Sequence, residues 1–237
     1  MTDVRDVLAP RRVLRASINL GNPVLAQGDA EQPRGVTVDL ARAIADALGV
    51  PLELVCFDAA RHSFEALTSG RVDVAFLAVE PARAEQVAFT PPYVVIDGVY
   101  VVPEASSITS ASDVDRPGLR IGVKRGSAYD LFLTRTLEHA ELVRGDEGVD
   151  VYLADGLDVG AGIRQPVQRF VAQHSGQRVV TERFMQIRQA VALPRSCPPD
   201  AVGYVADLVE RRRADGSIAS WLRASGQPDA EVAPPAA

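Results

Sequence analysis

Glu80-Pro81-Ala82-Arg83 sets two opposite charges directly after an apolar run, Val74-Ala75-Phe76-Leu77-Ala78-Val79. A run of that kind reads as a buried parallel strand covered on both faces. Open α/β sheets bind ligands at the carboxyl ends of such strands. A guanidinium there matches a carboxylate in a two-point fork, so Arg83 is either an anion contact or a solvated charge on the first turn of a helix. A second candidate is Lys124-Arg125-Gly126-Ser127, a turn after a strand and before a helix. Ser127-Ala128-Tyr129-Asp130 resembles a capping box with Asp in place of Glu. Its Ser hydroxyl and backbone N–H groups are either an anion site or ordinary capping. The 3 histidines and 2 cysteines lie in no metal-like spacing. Neither a metal site nor a cofactor is expected, and no nucleophile-elbow, phosphate-loop or dinucleotide motif is present.

The elements that must carry these residues alternate. Val13–Leu20 reads as a strand broken by Gly21-Asn22-Pro23, and Leu40, Ile44 and Leu48 repeat at helical spacing after Thr37, with Gly49 as the closing residue. Pro51–Phe57 reads as a strand, Ser63 caps a short helix to Leu67, and the Gly70–Tyr93 stretch follows. YVVIDGVYVV then reads as a crossing segment. After the polar stretch 103–117 the pattern restarts with the strand Leu119–Val123 and a helix from Ser127 to Leu137. A helix at 147–154, the glycine-rich strand Leu157–Ile163, a helix at 167–173 and a strand at 178–184 complete it. Gln189–Pro194 reads as the return crossing, and 199–225 as a helical stretch interrupted at Asp215-Gly216. Residues 1–12 are expected to be loosely held and 228–237 disordered. The expected fold is α/β: mostly parallel sheets flanked by helices, in two lobes with a cleft between them. Lobe 1 is 1–102 plus 192–237, and lobe 2 is 103–191.

The bulk numbers exclude several classes. The chain has 237 residues, 47% hydrophobic and 24% charged, which is ordinary for a globular protein. A net charge of -6 argues against a nucleic-acid partner. No apolar run reaches membrane-spanning length. The start, MTDVRDVLAPRRVLRASINL, lacks a basic stretch followed by an apolar core. This points to the cytoplasm, or to the periplasm if a leader has been removed.

Several stretches together resemble the family 3 solute-binding proteins, which have the type II periplasmic-binding-protein fold. LRASINLGNPVLA is similar to that family's opening strand and ligand loop, and GVTVDLARAIADALGV to its first helix. GRVDVAFLAVEPARAEQVAFTPPY is similar to its strand and Thr-Pro-Glu-Arg motif, LRIGVKRGSAYD to its second-lobe anion loop, and DGSIASWLRASG to its closing helix. The resemblance covers nearly the whole chain. It implies a monomer that binds an amino acid or related small carboxylate and hands it to an ABC transporter permease. It places Arg83 on the carboxylate-binding Arg and Ser127, with Gly126, on the anion loop.

The departures from the family pattern concern the rest of the ligand. Ala78 stands where the family has Ser or Thr, Glu80 where it has Thr, and Asn22 where the opening loop has an aromatic. The position of the Asp that takes a ligand ammonium is Ile163, followed by Arg164. A buried ammonium without a partner is costly. Glu80 either replaces that acid or pairs with Arg83 or Arg164. An Arg164 in the cleft would favour a dicarboxylate or another anion. A solute binder is therefore expected. The alternatives are a cyclohexadienyl-dehydratase-like enzyme, with Glu80 as general acid and Lys124 or Arg164 holding the anion, and a cytoplasmic sensor.

Overall fold

The computed structural model describes residues 3–235. The chain forms two compact units, Met1–Val95 with Arg188–Ala237, and Ile96–Ile187.

Unit 1 opens with helix α1 (Val4–Leu8), which the polar composition did not suggest. The Asp3 carboxylate accepts from the Arg5 N–H at 3.0 Å, and Leu8 and Ala9 are buried, so the segment is held by a cap and two apolar anchors. Strand β1 (Leu14–Asn19) runs parallel to β2 (Leu52–Phe57), from Leu14 opposite Leu52 to Asn19 opposite Phe57. Between them lies α2 (Val36–Leu48), whose repeating Leu40, Ile44 and Leu48 are all buried. It ends at Gly49, where φ is 64° and the N–H donates to Ala45 and Asp46 carbonyls, a left-handed turn that glycine adopts without a Cβ clash. The next helix, α3 (Ala60–Thr68), begins earlier than Ser63, which lies inside it and is buried rather than capping it.

The apolar run after Gly70 becomes the short, fully buried strand β3 (Ala75–Ala78). It was expected to be parallel. Its ladder is antiparallel, and its parallel contact with β1 is the single bridge Ala16–Val74. Burial on both faces produces a continuous apolar run whatever the sense of the neighbour, so the run itself did not specify direction. One turn of helix, α4 (Pro81–Ala84), follows, then β4 (Val87–Pro103), a single strand that leaves unit 1 at Val95.

Unit 2 contains β5 (Arg120–Lys124), α5 (Ala128–Thr136), β6 (Glu141–Gly145), α6 (Gly148–Ala154), β7 (Val159–Ile163), α7 (Arg164–Gln173) and β8 (Gln177–Val179). β5 is parallel to both β6 and β7, while β4 runs antiparallel to β7, in the order β4-β7-β5-β6. The mixed sheet is thus parallel around β5 and antiparallel where the crossing strand joins. The glycines of β7 allow close approach: a Cβ on Gly160 would lie 2.8 Å from Val101 Cγ1, and one on Gly162 2.7 Å from Val167 Cγ2. Val99, Val101, Tyr152, Leu157, Val167 and Phe170 form the core beneath it. The strand expected at 178–184 is shorter, ending at Val179.

The chain returns through β9 (Met185–Pro194), which pairs with β3, and closes with α8 (Pro199–Ala214) and α9 (Ser217–Ala224). The break between the helices is at Gly216, with φ 78°. The expected disordered tail instead contains β10 (Glu231–Val232), paired antiparallel with Val95 and Val94, and Ala233 is buried. Backbone pairing and one small apolar anchor order a segment whose composition carries no such signal. Met1, Thr2, Ala236 and Ala237, which belong to the expected loose ends, lie outside the described residues.

Candidate functional site

In unit 1 the charged residues gather at the carboxyl end of β3. Glu80 precedes α4 in an extended conformation, and its carbonyl accepts from the N–H groups of Arg83 at 3.0 Å and Ala84 at 2.9 Å. That turn carries Glu80 and Arg83 at i and i+3, on one side of the helix. Each is only 3% exposed. The Arg83 guanidinium also donates from Nη1 to the Ala78 carbonyl at 3.3 Å. Burial pulls its pKa down to about 10, and the Glu80 charge opposes that shift. Arg83 is therefore a buried cation at neutral pH, compensated by an adjacent acid. Ala78 supplies a carbonyl and no side-chain hydroxyl, and the neighbouring Val79 is 39% exposed.

Asn22 is buried on the loop after β1. Its Oδ1 accepts from the Val24 N–H at 3.2 Å and its carbonyl from Leu25 and Ala26, both at 3.0 Å. The side chain shapes its own loop in the manner of an Asx turn.

In unit 2, Ser127 is the N-cap of α5, and its Oγ accepts from the Asp130 N–H at 3.0 Å. The reciprocal bond of the expected box goes elsewhere. Asp130 Oδ2 accepts from the Gly126 N–H at 2.8 Å, one residue before the cap. Ser127 N–H donates to the Lys124 carbonyl at 3.1 Å. Gly126 supports this with φ 68°. Asp130 is also bound by Arg144 Nε at 2.9 Å, and Lys124 Nζ pairs with Glu147. The loop read as an anion site therefore already holds a carboxylate of its own chain. Burial, reinforced by the Glu147 charge, pushes the Tyr129 phenol well above its usual range.

Arg164 starts α7, and its Nε and Nη2 both reach Asp97 Oδ2, at 3.1 and 3.0 Å. Arg183 Nη1 approaches Asp97 Oδ1 at 3.4 Å. The second cation of the sequence reading thus has a carboxylate partner within unit 2. At the end of β7, Ile163 provides no acid.

Ala78, Glu80 and Arg83 accordingly share one turn, and Lys124, Gly126 and Ser127 share another. Asn22 serves its loop, and Arg164 serves Asp97. The reading of the sequence passed over Asp97 and Arg144. A lone charge within the apolar YVVIDGVYVV was a signal for the first; nothing local marked the second, which reaches Asp130 from the adjacent strand. Among the described residues no cluster of His, Cys, Asp or Glu is placed to hold a metal ion. Cys56 and Cys197 are free and half-buried, and burial raises both thiols.

Two α/β units joined by two strand crossings, with charged turns after β3 and β5, have the organisation of solute-binding proteins. The family model for bacterial extracellular solute-binding proteins, family 3, matches residues 16–223, and the chain belongs to that family. A curated relative, the membrane-bound lytic murein transglycosylase F of Idiomarina loihiensis, is 34% identical over 133 residues, 55% of this chain. The match spans only 29% of that relative's length. Among solved structures, an amino acid ABC transporter substrate-binding protein from Streptococcus pneumoniae, bound to L-arginine, superposes with TM-score 0.77 at 19% identity, over 97% of this chain and 99% of that one. A binding component of an ABC transporter from Wolinella succinogenes, complexed with lysine, gives 0.75 at 22%, over 90% and 96%. An ancestral amino acid-binding protein, a precursor of cyclohexadienyl dehydratase, gives 0.75 at 21%, over 93% and 97%. At these identities the structural likeness establishes the fold.

Proposed function

We propose that this chain captures a small solute through one carboxylate, anchored by Arg83. The observation that carries the reading is a guanidinium 97% buried at the carboxyl end of β3 and still charged at neutral pH. Glu80 leaves the Arg83 turn close to neutral, so a second acid on the ligand gains nothing there. Arg164, tied to Asp97, no longer argues for a dicarboxylate. The ligand class that fits is a monocarboxylate whose neighbouring group donates a hydrogen bond to Glu80 or packs on Val79. Arginine- and lysine-bound relatives support a small-molecule ligand. Delivery to an ABC transporter permease follows from the same class. Among the described residues no helix is long and apolar enough to cross a membrane.

Titration calorimetry with monocarboxylates, hydroxy acids, amino acids and dicarboxylates tests this directly. A preference for dicarboxylates, or an Arg83→Ala protein that binds as tightly as the parent, would sink it.

Burial of Glu80 next to Arg83 also favours a second reading, an eliminating enzyme on this fold in which Glu80 is a general acid. Incubation with prephenate or arogenate and detection of the aromatic product decides that point.

A further inference from the structure

The amino end of β3, away from the Arg83 turn, borders a cavity of about 360 Å³ built wholly from residues of unit 1. That volume lies at the lower end of the roughly 300–1,000 Å³ typical of small-molecule sites. Val72 and Asp73 lead into β3, and Pro194, Ser196 and Cys197 end and follow β9. Helix α1 contributes Val7 and Leu8, and the turn after it contributes Pro10 and Arg11.

The two turns that frame the cavity are fixed by their own hydrogen bonds. Arg12 N–H donates to the Ala9 carbonyl at 2.9 Å, and Cys197 N–H to the Pro194 carbonyl, also at 2.9 Å. Arg12 has φ 61°, and among the described residues it is the one non-glycine in the left-handed region. Backbone held in that region persists where its surroundings determine it, and such positions gather at binding and active sites.

The lining sorts into a satisfied ion pair, apolar walls and one further cation. Arg15 and Asp73 are each 7% exposed. Asp73 Oδ2 accepts from the Arg15 N–H at 2.9 Å and from its Nε at 3.0 Å, and Oδ1 accepts from Nη2 at 2.6 Å. Arg15 Nη1 donates to the Arg71 carbonyl at 2.6 Å. The pair meets its own needs and leaves no charge for a ligand. Val7, Leu8 and Val72 are aliphatic, and Pro10, Pro194 and Pro198 have no N–H to donate. Arg11 is exposed and makes no salt bridge among the described residues, whereas Arg12 beside it reaches Asp6 at 3.6 Å. Apolar walls favour an apolar body removed from water, and a guanidinium favours a carboxylate.

We propose that this cavity is a second binding site, separate from the Arg83 turn, for a small organic anion with an apolar body. Arg11 takes the anionic group, and the aliphatic and proline walls take the body. The two sites lie at opposite ends of β3, so the inference holds whatever Arg83 binds.

Cys197 lines the cavity and serves as the reporter. The chain has 2 cysteines, so Cys56→Ser leaves Cys197 as the single thiol. Its alkylation by iodoacetamide is followed by mass spectrometry at mildly alkaline pH, because burial raises this thiol. The probe is 1-naphthoate, with 1-naphthamide as its uncharged counterpart. Naphthoate should slow the alkylation saturably, and naphthamide should do so only at about tenfold higher concentration. Arg11→Ala should raise the half-protecting naphthoate concentration by a similar factor, about tenfold. Ser196→Trp, which fills the cavity from an exposed position, should abolish the effect of naphthoate. Arg83→Ala should leave the protection curve unchanged. Circular dichroism establishes that each variant is folded. The proposal is wrong if naphthoate gives no protection, if naphthamide protects as well, or if Arg11→Ala leaves the curve where it was. Loss of protection in Arg83→Ala would also overturn it, by tracing the effect to the first site. Should Ser196→Trp not fold, Arg11→Ala still decides, since that side chain is exposed. None of these failures touches the Arg83 reading, which calorimetry tests by itself.

Discussion

The turn after β3 and the turn after β5 begin alike, as a strand end, two or three charged residues and a helix start. They put their charge to different uses. In the first, a buried guanidinium sits beside one acid and makes a long bond to a carbonyl, Arg83 Nη1 to Ala78 at 3.3 Å. In the second, the chain's own carboxylate takes up a loop N–H at 2.8 Å and is held in turn by Arg144. A helix start with a capping Ser is an anion site only when nothing in the chain already supplies the anion. The difference makes the turn after β3, rather than the turn after β5 that the chain's own carboxylate fills, the first one to break.

The largest effect should come from breaking the first turn. Arg83→Met is expected to abolish carboxylate binding and to cost about 3–5 kcal/mol of stability, because it leaves Glu80 buried without its cation. Glu80→Gln together with Arg83→Met should recover much of that stability and none of the binding. Urea unfolding and calorimetry separate the two. A double variant no more stable than Arg83→Met would mean that Glu80 is not the counter-charge. The same turn predicts how binding depends on pH. The Arg83 pKa, lowered by burial to about 10, still lies well above neutrality, so its grip on a carboxylate should be constant through neutral pH. Burial depresses the folded pKa of this base, so the unfolded chain holds its proton to higher pH. The cost of burying the charge therefore applies below about 10 and eases above it. Dissociation constants measured at mildly acid and mildly alkaline pH check this, and a steep change between them would point to another titrating anchor.

Breaking the second turn should matter less for binding and more for local order. Asp130→Asn takes the charge partner from Arg144 and weakens the bond to Gly126 N–H, at about 1–3 kcal/mol. It should also open the loop to an outside anion, so that sulfate stabilises the variant more than the parent in thermal unfolding. Equal stabilisation of both would show that the internal carboxylate does not compete for the loop.

How much of this was legible in the sequence follows from the range of each interaction. The α2 repeat with its Gly49 terminus and the Ser127 cap depend on residues within a few positions, and spacing reports them. The antiparallel sense of β3 depends on β9, more than a hundred residues on, and the apolar run would read the same beside a parallel partner. The tail strand is ordered by the free edge of β4 and has no pattern of its own. At the site, Glu80 and Arg83 were visible as an i, i+3 pair, whereas Arg164 looked available because Asp97, its partner, lies 67 residues away. Residue types at a strand end are readable from sequence; which of them already have a partner is a tertiary fact.

The smallest predicted effect is the most specific about the second turn. Ser127→Ala removes the oxygen that accepts the Asp130 N–H, one of the orphan donors of the α5 start. Loss of such a cap costs about 1 kcal/mol. If capping were its whole role, Ser127→Asp would restore stability and leave carboxylate affinity close to the parent's. If the hydroxyl also donates to the ligand, Ser127→Asp should restore stability while weakening the carboxylate further than Ser127→Ala does, because it faces the ligand with a second negative charge. Stability and affinity moving together across the two variants would assign Ser127 to the helix alone and leave Arg83 as the anchor that matters.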